Sequence, residues 1–89
     1  MKDREKAYCK YVGRALRNIR KERSGKSGLM FAYENDIPKS TLWRIENGEN
    51  EAQLVTLKKI AGGLTLSELF ECIEEKLPED FRIFDDEHY

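Results

Sequence analysis

Eighty-nine residues, 39% hydrophobic and 37% charged, fit one highly charged domain with a single modest core and leave no room for two. No apolar run approaches the about 18 residues of a membrane span, and the charged Met1–Lys10 stretch is no signal peptide, so a cytoplasmic protein with no membrane partner is expected. The net charge of −1 hides two opposed halves, 12 Lys+Arg against 6 Asp+Glu in residues 1–48 and 4 against 11 in residues 49–89.

In chain order, Ala7, Tyr8, Val12, Ala15, Leu16 and Ile19 recur on one helical stripe, with Lys10, Arg14, Arg17 and Lys21 largely off it. The spacing predicts a basic amphipathic first helix. Residues 24–28, SGKSG, break it, and Ser27 is placed to cap a second helix carrying Leu29, Met30, Phe31 and Ala32. Gly25-Lys26-Ser27 is not a phosphate loop, because that motif needs its first glycine at position 20, where Arg20 stands.

Asn35 and Asp36 tolerate left-handed backbone and close the second helix. Pro38 holds Ile37 extended, so that it plugs the corner, and then opens a third helix that Gly48 ends. On that helix Leu42 and Ile45 can face a core, while Lys39, Ser40, Trp43, Arg44 and Asn47 fall on the opposite side. These residue types hydrogen-bond base edges and phosphates, which makes residues 38–47 a candidate recognition helix and 27–48 a candidate helix-turn-helix unit.

Asn50 with Gln53 reads as a capping box for a fourth helix with Leu54, Leu57, Ile60 and Ala61 on one face, loosened by Gly62 and Gly63. Thr65 with Glu68 reads as a second box, opening a fifth helix with Leu66, Leu69, Phe70, Ile73 and Leu77 on its apolar side until Pro78 ends it. The expected domain is therefore 1–77, all-α, a compact bundle of about five helices, with an acidic tail over 78–89. Within the tail Phe81 and Ile83 suit a short extended segment that either packs on its own domain or pairs with a second copy.

Cys9 and Cys72 lack the spacing of a zinc site or a disulfide framework, and are expected to be semi-buried thiols. His88, the one histidine, reads as a solvated tail residue. With no converging nucleophile, base and orienting group, neither an enzyme nor a cofactor or metal is expected.

ALRNIRKER (15–23), FAYENDIPKSTLWRIENG (31–48), LVTLKKIAGGL (54–64) and LSELF (66–70) stand in an order and spacing that resemble the Xre/Cro/CI family of helix-turn-helix regulators, the lambda-repressor-like DNA-binding domains. The resemblance runs from about Leu16 to Phe70. It implies that the second and third helices form the DNA-binding unit, with Lys39, Ser40 and Arg44 at base-reading positions and Asn47 at a phosphate-contacting one. It also implies a structural ion pair between Glu46 and Arg20. Trp43 occupies a position that is usually small or polar, where an indole either packs on sugar and a thymine methyl or buries against a partner protein.

The chain departs from the family in three places. Gly28 replaces a phosphate-contacting glutamine, leaving Lys26 and the backbone amides at the start of the second helix, with Ser27 among the candidate DNA-binding residues there, as substitutes. The loop after the recognition helix carries Glu49 and Glu51, which repel phosphates wherever they approach them. The loop between helices one and two is about one residue longer. The function implied is sequence-specific binding of double-stranded DNA by a transcriptional regulator, with the basic half steering the encounter. A homodimer through the fifth helix and tail is expected, since two recognition helices about 34 Å apart read a two-fold operator. The alternative is a protein-interaction module such as an antitoxin or anti-regulator, with DNA binding secondary.

Overall fold

A computed structural model describes residues 1–84. Its helices are α1 (Asp3–Ser24), α2 (Gly28–Glu34), α3 (Lys39–Glu46), α4 (Leu54–Ala61) and α5 (Leu66–Glu75), with no strand among the described residues. The long α1 packs against α3, α4 and α5, and α2 packs on α3. Leu16 of α1, Leu42 of α3 and Leu69 of α5 are the largest fully buried side chains. Around them Ala15, Ile19, Phe31, Ala32, Ile37, Ile45, Leu57, Ile60, Ala61 and Ile73 complete one core.

Local chemistry sets most of the helix ends. Gly25, at φ 66°, takes the left-handed position that terminates α1 and donates its N–H to Lys21 O at 3.0 Å. Ser27 caps α2 by accepting from Met30 N, at 3.2 Å. Thr65 and Glu68 form the expected reciprocal box, Thr65 N donating to Glu68 Oε1 at 2.9 Å and Glu68 N to Thr65 Oγ1 at 3.1 Å. The Thr65 N–H that donates to it, aided by the Thr65 side chain, holds the Glu68 carboxyl below the usual carboxylate range.

Several expectations need correction. Asn50 and Gln53 form no capping box: α4 begins at Leu54, Gln53 is itself the residue before the first turn, and no side chain caps it. Leu54 consequently lies in the uncovered first turn, 68% exposed, instead of sharing the inward face of Leu57, Ile60 and Ala61. Phe70 is 43% exposed, at the edge of the apolar stripe of α5 rather than in the core. That helix stops at Glu75, and Leu77 follows it as a turn residue, half-buried.

Over residues 78–84 the tail turns instead of extending. Phe81 N donates to Pro78 O at 3.0 Å, and residues 83–84 bend. Phe81 packs on α1, its ring 6.0 Å from that of Tyr8 and 5.6 Å from that of Tyr11. Of the two alternatives for Phe81, packing on its own domain is the one found. His88 lies outside the described residues. Cys9 is buried and Cys72 half-buried, both as free thiols. Burial pushes the Cys9 thiol up from its ordinary value, with Glu51 and Glu5 adding to the shift.

Candidate nucleic-acid interface

The turn between α2 and α3 is built from four residues with separate tasks. Asn35 Nδ2 donates to Phe31 O at 2.9 Å, closing α2. Asp36 takes φ 54°, a left-handed geometry that Asp accepts more readily than most non-glycine residues. Ile37 is buried and donates its N–H to Ala32 O at 2.9 Å, while Pro38 O accepts from Leu42 N at 3.1 Å to start α3. From a distant element, Lys59 Nζ of α4 donates to Asp36 O at 2.8 Å and pins the corner from outside.

Behind α3 the backbones of α1 and α3 come close. A Cβ on Gly13 would lie 2.3 Å from Ile45 O and 2.8 Å from Glu46 O, so only glycine admits the approach. Gly48, at φ 75°, is held equally tightly, since a Cβ there would stand 2.7 Å from Lys10 Cα.

Beside this contact Arg20 grips Glu46 with both arms of its guanidinium, Nε to Oε2 at 2.7 Å and NH2 to Oε1 at 2.9 Å. Both side chains are more than nine-tenths buried. Arg20 NH1 also donates to Lys26 O at 2.7 Å, so one side chain ties together α1, the entry to α2 and the end of α3. The hydrogen bonds to Glu46 raise the guanidinium above its ordinary, already high, value against the opposing effect of burial. The position of α3 is thus fixed by backbone contact and a bidentate charge pair together.

The other side of α3 is open. Lys39, Ser40, Trp43, Arg44 and Asn47 are exposed, and all line one cleft of about 670 Å³ together with Gly28 and Leu29 of α2 and Arg17 of α1. Asn47 is partly engaged within the helix, its Nδ2 donating to Trp43 O at 2.8 Å. The cleft brings together every candidate on α3.

The two candidates in the loop do not line that cleft. The Lys26 ammonium pairs with Glu34, and the Ser27 hydroxyl is occupied as the cap of α2. Gly28 lies over the Arg20 guanidinium, and a Cβ there would meet it only at an ordinary 3.8 Å. Glu49 and Glu51 do not line the cleft but flank a separate hollow with Met1 and Gln53. Arg17 and Leu29 were not among the expected site residues. Arg17 stands one helical turn before Arg20, which was the available signal for it. Nothing in the sequence aimed Leu29 outward.

Over 66 residues the chain is 42% identical to Control protein C.MunI from a Mycoplasma species, an alignment covering 72% of this chain and 89% of that protein. The chain belongs to the control protein family of helix-turn-helix regulators. No family model and no solved structure matches it. Among the described residues, no helix of this control-protein relative is long and apolar enough to cross a membrane. No group of His, Cys, Asp and Glu there could hold a metal.

Proposed function

We propose that this control-protein relative is an Xre/Cro/CI-type transcriptional regulator that reads double-stranded DNA sequence-specifically, laying the outer face of α3 in the major groove. The observation that carries the reading is the contrast on α3 itself, a helix fixed from behind whose exposed Lys39, Ser40 and Arg44 converge with Arg17 on one cleft. In this reading Arg44 is the bidentate donor to guanine O6 and N7, Lys39 and Ser40 contact bases or nearby phosphates, and Arg17 and Asn47 set register through phosphates. Similarity to a protein named as a control protein supports the regulatory sense.

The protein acts as a homodimer in the cytoplasm, and α5 with the tail is the surface for self-association. Phe70, Ile83 and Phe84 leave large apolar groups exposed there. A second reading, a module that binds another protein, is favoured by Leu54 and Val55, which stand exposed on the first turn of α4.

Salt separates the two. Fluorescence anisotropy of a labelled duplex between about 50 and 200 mM salt should give a linear fall of log K with log salt, and Arg17→Ala should lessen the slope by about 1. A folded protein that shows no duplex binding at low salt contradicts the reading and leaves the protein-binding one.

A further inference from the structure

Two large apolar side chains stand in water beside the exposed cations Arg17, Lys39 and Arg44. Leu29, in the first turn of α2, is 64% exposed, and Trp43, in the middle of α3, is 58% exposed. Both line the cleft that Arg17, Lys39 and Arg44 also line. Neither serves the core, which takes Phe31 and Ala32 from α2 and Leu42 and Ile45 from α3. An indole and an isobutyl group left in solvent forgo the gain that burial gives, so this part of the cleft favours an apolar occupant.

The occupant must also satisfy the surrounding cations, and duplex DNA does both. Its phosphates are anionic, and the major-groove edges of its bases carry one apolar group, the C5 methyl of thymine. Resting on the proposed DNA reading, we propose that Leu29 and Trp43 together form an apolar slot that receives thymine methyl groups, so that α2 and α3 jointly select thymine over cytosine.

The chemistry agrees on both sides of that choice. The indole N–H is a donor only, suited to the O4 acceptor of thymine and unsuited to the N4 donor of cytosine, and the leucine offers neither. Arg44 and Lys39 are then left for guanine. The slot gives the exposed indole a role that a small or polar residue at position 43 could not fill.

Replacing thymine by deoxyuridine removes that methyl and nothing else. The test takes a duplex recovered from a random pool, exchanges each thymine in turn for deoxyuridine, and measures Kd with the wild type, Leu29→Ala and Trp43→Ala. At one or two thymines of each half-site the exchange should weaken the wild type by about fourfold, the worth of one buried methyl. The same exchange should leave either variant unchanged, while both bind the thymine duplex more weakly than the wild type at an unaltered melting temperature. Wild-type binding that is indifferent to deoxyuridine at every position, or a recovered site without thymine, overturns the slot and leaves DNA reading standing. Recovery of no duplex by the folded protein overturns both and assigns the apolar pair to a protein partner.

Discussion

The two faces of α3 are made by different physics. The inner face is specified by what a substitution would collide with or strand: Leu42 and Ile45 are buried, Gly13 admits no Cβ, and Glu46 answers a buried guanidinium. The outer face is specified by what it leaves free, since Lys39, Ser40, Trp43 and Arg44 are exposed. A side chain that must select among base edges gains from a backbone that does not move, because no ordering is then left to do on binding. Substitutions behind the helix should therefore lower stability, and substitutions in front should lower affinity alone.

Glu46→Ala is the strongest way to break that division. It leaves Arg20 buried with one remaining partner, Lys26 O, and should destabilise the fold by about 3–5 kcal/mol. For a domain of this size that is a fall in melting temperature of roughly 12–40 °C by calorimetry or circular dichroism. An unchanged melting temperature would remove Arg20 and Glu46 from the account of how α3 is held. Gly13→Ala should follow at about 1–3 kcal/mol or more, because the added methyl meets backbone rather than a side chain that can swing away.

Arg44→Ala tests the front. It should weaken specific duplex binding by about 1–3 kcal/mol, on the order of 5- to 150-fold, with stability changed by no more than about 0.5 kcal/mol. A variant that loses binding only because it unfolds would place Arg44 with the inner face.

Gly28→Gln sharpens the comparison from the opposite direction. The site has ordinary room for a Cβ beside Arg20, so a restored phosphate-contacting side chain should tighten duplex binding by about 2- to 10-fold without loss of stability.

The smallest effects lie far from the cleft. Thr65→Ala removes the cap of α5 and should lower stability by about 1 kcal/mol while leaving affinity alone. Glu68, held below the usual carboxylate range by Thr65, contributes stability that is present above that range and lost as pH falls through its folded value. Glu68→Gln should therefore differ most from the wild type near neutral pH, and the two melting curves should converge in acid.

What could be read from the sequence was mostly local. Ser27, Gly25 and the Thr65–Glu68 pair act within one helical turn of themselves, and their chemistry is nearly independent of the rest of the fold. Leu42 and Ile45 were legible because they stand three apart on a helix where Lys39, Ser40, Arg44 and Glu46 are polar. Leu54 and Phe70 were not, because three- and four-residue spacing assigns a face without saying whether another element covers its ends. Asn50 and Gln53 had the spacing of a capping box, but the helix starts one residue beyond Gln53.

Long-range partners left the faintest trace. Gly13 in the middle of a helix reads as a propensity penalty until the carbonyls of α3 are seen beside it. The Lys59 bond to Asp36 O and the ring contacts of Phe81, stacked on Tyr8 and edge-on to Tyr11, join residues that no periodicity connects. The ion pair of Arg20 with Glu46 spans 26 residues, and only the family resemblance pointed to it. Within the site, the α3 residues followed from helical spacing, whereas Arg17 and Leu29 enter the cleft through tertiary packing.

The central claim is that the outer face of α3 reads DNA. Selection of binding sites from a random duplex pool at moderate salt, with Arg44→Ala run in parallel, tests it most directly. The account predicts enrichment of a short palindrome by the wild type and its disappearance with the variant. Enrichment of nothing by a protein that remains folded, or of the same palindrome by both, would contradict it.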